Sequence, residues 1–307
     1  MQKEAILVTG ANSGIGFEIT KLLNKQGKFV LAGYRREETI SIFDHMEFVQ
    51  PVLLDVTKKE TVNEIKEFLN KDNLILKGLV NNAGTTNSLI PLYYTSVEDM
   101  KRVFDVNVFG MHAITQACIP DLIKSKGRIV IISSVAGVQT GYFSGTYSMT
   151  KHAVEAYTDA LSYELKKFDI HVSAIEPGSY LSNMGKGNEI NIEKLVNFNS
   201  NIYMEELVLI KNWLNSPHEK TDPEPIDVAE AVYHALFDPN PKIRYLTTSI
   251  ALETEKTIKK IIIELLQLNK DNKFSYSCEE LVRMIRELYN TDLKGLHFAY
   301  IPEPFRM

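Results

Sequence analysis

Tyr147 and Lys151 stand four residues apart in TYSMTKHAVEAY (146–157), where a segment with helical periodicity begins. Positions four apart on a helix share a face, about one turn apart. A phenol and an ammonium would then point into one space. The cation favours the phenolate and lowers a pKa that is otherwise near 10, so proton transfer by the tyrosine moves closer to neutral pH. Spacing alone does not choose this pair. The chain has 14 tyrosines, and Tyr163 with Lys167 fits equally well.

A second run with chemical content is TGANSGIG (9–16). Gly10, Gly14 and Gly16 let the chain turn sharply, approach a phosphate closely and pack a helix against a sheet. The N–H groups of the first helical turn and the helix dipole then face an anion. The run lies between an expected strand and an expected helix, which is the context that such a turn needs.

The elements that must position these residues alternate along the chain. Seven short apolar runs read as strands: 5–10, 28–34, 48–56, 74–84, 127–134, 171–178 and 242–248. Helical patterns separate them at 14–26, 57–70, 97–124, 146–168 and 226–237, and the second opens with a Thr57-to-Glu60 capping box. Strands that are apolar throughout and separated by helices indicate an α/β fold with a doubly wound, seven-stranded parallel sheet and helices on both faces. Residues 1–250 read as one domain, with 185–225 inserted as a lid. Residues 251–307 form a helical extension: 254–268 carries Ile258, Ile261, Ile262, Leu265 and Leu266 on one stripe, and 277–289 opens with a Ser277-to-Glu280 capping box. These helices are expected to dock on the domain or on a sister subunit.

Ligands of open parallel sheets bind outside the carboxyl ends of the strands. Gly10, Arg35, Asp55, Asn81, Ser134 and Pro177 each lie at that end of six successive expected strands. The same geometry separates the two tyrosine–lysine pairs. Tyr163 lies further along the same helix, roughly 24 Å from Tyr147 at about 1.5 Å per residue, and reads as a packing tyrosine.

Three residues separate Gly10 from Gly14, and this spacing resembles the glycine turn of the short-chain dehydrogenase/reductase family, single-domain (non-extended) type. The family's other marks follow in order: Asp55, NNAG (81–84), Asn107, Ser134 in ISSVAG, YSMTK with Tyr147 and Lys151, and Pro177–Gly178. The resemblance covers roughly residues 4 to 250 and implies a Rossmann-type NAD(P)-dependent oxidoreductase, a carbonyl reductase or alcohol dehydrogenase. By resemblance, Tyr147 is the general acid/base for hydride transfer between nicotinamide and a carbonyl or alcohol carbon. Ser134 would bond the reacting oxygen, Lys151 would also hold the ribose hydroxyls, and Asn107 would link Lys151 through water to solvent.

The same resemblance assigns the cofactor contacts. The turn Gly10, Asn12, Ser13, Gly14, Ile15 and Gly16 would take the pyrophosphate, and Asp55 with Val56 would border the adenine. Asn82, Ala83 and Gly84 would line the cleft with Tyr147 and Lys151. Pro177, Gly178 and Ser182 would lie toward the carboxamide. After the second strand the chain reads AGYRRE, with Tyr34 where an acidic residue would select NAD. Arg35 and Arg36 follow, and an arginine can fork onto a 2′-phosphate, so NADP is favoured over NAD. Members preferring NADP often carry a basic residue in the glycine turn, where this chain has Asn12–Ser13.

Composition excludes other classes. Net charge is -5, with Lys and Arg scattered, so no nucleic-acid or anionic-membrane surface is expected. The two cysteines, Cys118 and Cys278, have no metal or redox spacing, and no metal site is expected. No stretch is apolar enough to span a membrane, and MQKEAILVTG enters a strand without a leader pattern, which reads as cytoplasmic. The lid carries Phe198, Tyr203, Met204, Leu207, Leu209 and Trp213 with little basic charge. These residues either line an apolar substrate pocket or pack the lid onto the sheet. Lys186, Lys194 and Lys211 are too scattered for a carboxylate or phosphate clamp. The family pattern suggests a homodimer or homotetramer acting on a small carbonyl or alcohol. The alternatives are an NAD-linked enzyme working toward oxidation and a non-catalytic NADP(H)-binding regulator. A sugar-nucleotide epimerase shares the tyrosine–lysine pair but spaces its glycines differently.

Overall fold

Ala5, Ile6, Leu7 and Val8 are all buried, and they alternate between two separate apolar cores. That division explains why the first strand has no polar face. The computed structural model describes residues 3–71, 73–87, 89–182, 184, 202–215 and 223–291. Most of the expected lid, with Lys186, Lys194, Phe198 and the side chain of Trp213, lies outside the described residues. So does everything after residue 291.

Seven strands form one parallel sheet: β1 (Lys3–Val8), β2 (Phe29–Tyr34), β3 (Val49–Leu53), β4 (Leu74–Asn81), β5 (Arg128–Ile132), β6 (His171–Pro177) and β7 (Arg244–Thr247). Their order is β3-β2-β1-β4-β5-β6-β7, the doubly wound arrangement expected from sequence. The order reverses between β1 and β4, which opens the crevice where such sheets bind ligands. Helices α2 (Lys59–Lys71), α4 (Met111–Ser125) and α5 (Gly145–Lys166) cover one face, and their apolar stripes close over Leu7, Leu79 and Ile131. Helices α1 (Gly14–Lys25) and α7 (Ile226–Phe237) cover the other over Val8, Val80 and Ile132. Each such aliphatic side chain contributes roughly 1.5–3 kcal/mol when fully buried, so both faces hold the strands in register.

The long helix expected at 97–124 is interrupted. Helix α3 (Val97–Phe104) passes into a π-helical turn, Asp105–Gly110, before α4 begins. Gly110 makes the close approach possible, since a Cβ there would lie 2.6 Å from Val56 Cγ2. The wider turn buries Asn107, a placement typical of functional π-bulges. At α2, Thr57 does not cap toward Glu60. Its N–H and hydroxyl donate instead to Asp55 Oδ1 at 3.0 and 2.7 Å, and the helix starts at Lys59.

Helix α6 (Met204–Asn215) contributes Leu207, fully buried against Tyr94. Helices α8 (Ala251–Asn269) and α9 (Cys278–Tyr289) form the C-terminal extension, and α9 starts with the expected Ser277–Glu280 capping box. The stripe on α8 is exposed at Ile258, Ile261, Ile262 and Leu266, while Leu281 of α9 is buried. α8 is fastened at its first turns, where Thr257 is buried. Among the described residues, no helix is long and apolar enough to cross a membrane.

Candidate active site

Helix α5 starts at Gly145, so Tyr147 and Lys151 occupy its first two turns beside the end of β5. Lys151 is buried, and its Nζ donates to the Ile132 carbonyl at 2.8 Å. The same Nζ lies 5.6 Å from the centre of the Tyr147 ring. Burial lowers the Lys151 pKa to about 8, opposed by the negative charge of Glu155. Tyr147 keeps part of its ring accessible, but burial pushes its phenol up to about 12, opposed by a hydrogen bond with Ser134. The lysine pulling this phenol below 10, expected from the four-residue spacing, is therefore not the dominant effect in the ligand-free chain.

Ser134 sits at the end of β5, where its hydroxyl accepts from Ala136 N at 3.1 Å and donates to the Pro177 carbonyl at 3.3 Å. Ser134 thus joins the β5 and β6 loops beside the phenol. Asn107, carried inward by the π-turn, is fully engaged. Its Oδ1 accepts from Thr85 N at 2.8 Å, and its Nδ2 donates to Thr85 O at 2.9 Å and Thr150 Oγ1 at 3.0 Å. The side chain brackets the loop after β4 to α5, between Tyr147 and Lys151.

The glycine turn is built for close approach. Gly10 and Gly14 have φ of +61° and +51°, which favour glycine. A Cβ on Gly16 would meet Gly10 O at 2.3 Å and Asn82 Nδ2 at 2.4 Å. Ser13 precedes α1 without a side-chain cap, so its hydroxyl does not occupy the first-turn N–H groups. Ile15 faces the core. The NNAG residues serve mainly as braces: Asn82 Nδ2 donates to Thr9 O and Gly10 O at 2.9 and 3.0 Å, and the N–H groups of Asn82 and Ala83 both donate to Thr9 Oγ1. Asn81 Nδ2 donates to Thr115 Oγ1 at 2.8 Å. Ser182 closes over the turn, with its Cα 3.3 Å from where a Gly14 Cβ would be. Gly84 faces the Asn107 side chain and Met184.

Arg35 and Arg36 are exposed just past β2, and Asn12 reaches across to the same place, donating from Nδ2 to Thr39 Oγ1 at 3.0 Å. Asp55 is half-buried and committed to Thr57, while the Val56 side chain belongs to the core and leaves only its backbone to face a ligand. Gly178 N donates to Thr247 O at 2.8 Å, which holds the start of the β6 loop to β7.

Behind Lys151 lies a charge cluster that the sequence did not announce. Arg244 pairs with Asp159 at 2.8 Å, Glu155 at 3.0 Å and Glu176 at 3.5 Å. Burial, reinforced by Glu155, raises the Glu176 carboxyl to about 7. In sequence these residues are spread over 90 positions and carry no motif. Thr9, Thr39, Thr85 and Thr150 were likewise missed. Only the adjacency of Thr9 to the glycine run and of Thr150 to Lys151 hinted at them.

Immediately before α5, a cleft of about 520 Å³ is lined by Leu92, Tyr93, Tyr142, Phe143 and Tyr203 among others. Phe143 has φ of +60°, an uncommon and strained value for an aromatic residue. Its ring stacks on Tyr142 at 3.9 Å and meets Tyr203 edge-on at 5.5 Å. Among the described residues no cluster could hold a metal ion.

A family model described as short chain dehydrogenase matches residues 4–192. Retinol dehydrogenase 16 of Mus musculus is 31% identical over 256 residues, 80% of this chain and 80% of that protein. Mitochondrial D-beta-hydroxybutyrate dehydrogenase of Bos taurus is 31% identical over 266 residues, 79% and 76% of the two chains. Among solved structures, ElxO with NADP bound superposes with a TM-score of 0.63 at 26% identity, covering 81% of this chain and 97% of that one. The chain belongs to the short-chain dehydrogenase/reductase family of NAD(P)-dependent oxidoreductases.

Proposed function

We propose that this family member is an NADP-preferring carbonyl reductase, with Tyr147 as proton donor and an apolar carbonyl compound as substrate. The observation that carries the reading is the junction of Tyr147, Ser134 and Lys151 at the carboxyl edge of the sheet, beside a turn shaped for a pyrophosphate. The residues fit a dinucleotide: a glycine cradle that a single Cβ would fill, and a helix start left free of a side-chain cap. When bound, the dinucleotide supplies or accepts the hydride.

The rest falls to the chain's own groups. In reduction the substrate oxygen gains negative charge and needs a proton. Tyr147, protonated at neutral pH because burial holds its pKa near 12, gives that proton. Ser134 shares a hydrogen bond with the same oxygen and orients it. Lys151 carries its charge up to about pH 8 and stabilises the phenolate left behind. Asn107 holds the β4 loop and α5 together, so that these groups keep their spacing.

Arg35, with Arg36 and Asn12 nearby, favours a 2′-phosphate over a free hydroxyl. ElxO, solved with NADP, supports this choice. The aromatic cleft before α5 supports an apolar substrate, and the retinol and hydroxybutyrate dehydrogenases among the relatives support chemistry at an alcohol or carbonyl carbon. A panel of apolar ketones and aldehydes, followed by the loss of NADPH absorbance and repeated with NADH, tests the reading. Turnover with NADPH at several-fold higher kcat/KM than with NADH is expected; no turnover of any carbonyl, or a clear NADH preference, overturns it.

A further inference from the structure

The C-terminal helix α8 reaches the active-site loops through one carboxylate. Both oxygens of Glu253 are used: Oε1 accepts from the Ser179 hydroxyl at 2.9 Å, and Oε2 from the Ser179 backbone N–H at 3.2 Å. The carboxylate also lies against Gly178, where a Cβ would come within 2.2 Å of Oε2. A side chain at position 178 would push the carboxylate out of this position.

Helix α8 is itself fixed at this end. Thr257 Oγ1 donates to the Glu253 carbonyl at 2.9 Å and accepts from Gln139 Nε2 at 3.3 Å, which ties α8 to the loop after β5. Thr254 and Thr248 share a hydroxyl–hydroxyl hydrogen bond. An acidic side chain in the first helical turn is also favoured by the helix dipole. α8 therefore bridges the loop that follows Ser134 and the loop that follows Pro177, the same two that Ser134 joins from inside.

We propose that Glu253 is a positioning residue for the dinucleotide: it holds Gly178–Ser179 in the shape that receives the nicotinamide end, and so makes the C-terminal extension part of the cofactor site. This rests on the NADP-dependent reading above. Its chemistry is specific, since a bidentate acceptor fixes both a backbone N–H and a hydroxyl of one loop residue.

The test compares NADP+ with adenosine 2′,5′-bisphosphate, which lacks the nicotinamide half, by calorimetric titration of the full chain. E253A is expected to weaken NADP+ about tenfold and to leave the fragment within about twofold. E253Q, which keeps one acceptor oxygen and loses the other with the charge, should fall between. E255A, on the same helix, should match the parent chain. Hydrogen exchange of the ligand-free proteins gives an independent readout: the Ser179 amide should exchange faster in E253A, while amides of β1 and β5 are unchanged. Unchanged NADP+ affinity and unchanged exchange in E253A, or equal loss of NADP+ and fragment, overturn the positioning role alone. If the parent chain binds neither ligand, the NADP reading fails and the inference fails with it.

Discussion

Lys151 points its ammonium at the Ile132 carbonyl, 2.8 Å away, while the same nitrogen stands 5.6 Å from the centre of the Tyr147 ring. The lysine is thus anchored to the end of β5, with its charge beside the phenol ring. In the proposed reading this separates two jobs that are easily merged: Ser134 orients the reacting oxygen, and Lys151 supplies charge nearby.

Tyr147→Phe removes the proton donor and keeps the ring. Reduction should slow by roughly 10²–10⁴-fold, the usual range for general acid catalysis, with NADP+ affinity little changed. Steady-state rates and calorimetry check the two halves, and a Phe variant with ordinary activity would refute the assignment.

Loss of charge on Lys151 should govern the alkaline limb. Its pKa lies at about 8 and that of Tyr147 at about 12, so the rate should fall as pH rises through about 8 while the phenol is still protonated. In Glu155→Gln the charge that raises the lysine is gone, and the limb should move to lower pH. A pH–rate profile of both proteins decides; an unmoved limb would count against it.

Glu176 predicts the pH dependence of stability. Its carboxyl is raised to about 7 in the folded chain from 4.5. At this carboxyl the folded state therefore binds more protons than the unfolded state between these values, and its contribution to stability declines as pH rises through that window. Glu176→Gln should flatten the decline, with a larger gain in Tm at pH 8 than at pH 5, at roughly 2–4 °C per kcal/mol. Thermal melts across that range would show it.

Arg35→Ala should raise the KM for NADPH by roughly 10–100-fold, the weight of a charge-assisted phosphate contact, and leave that for NADH nearly unchanged. Equal effects on both cofactors would place the 2′-phosphate elsewhere.

Asn107→Ala deletes three hydrogen bonds of a buried side chain and strands the Thr85 N–H and carbonyl. A loss of about 1–2 kcal/mol in urea unfolding is expected, because the Thr85 groups are half-buried and water can replace part of what Asn107 supplied.

The sheet was legible because its strands are apolar on both faces, as Ala5 to Val8 show, and recur between amphipathic helical segments. The glycine turn was equally legible, since positive φ at Gly10 and Gly14 has a direct chemical signature. What stayed hidden was built by tertiary contact. The π-turn around Asn107 looks like uninterrupted helix in a 3.6-residue periodicity. Arg244, Glu155 and Glu176 meet only after β6 and β7 pair. Glu253 reads as an ordinary first-turn acid until α8 swings over Gly178. The phenol pKa was misjudged in direction for a related reason: spacing along a helix reveals a neighbouring charge but says nothing of how much water burial removes.

The π-turn also constrains how this chain can change length. It winds one surplus residue into an otherwise regular rod, so deleting any single position between 105 and 110 would let the rod close into ordinary α-helix. The helix beyond would keep its facing, because the wider turn is what absorbs the extra position. Cys118 and Leu122 would stay on the sheet, and Asn107 would lose the wide turn that carries it inward. A one-residue deletion here should therefore cost the Asn107 contacts and spare the fold, whereas the same deletion within α4 would turn everything after it by roughly 100°.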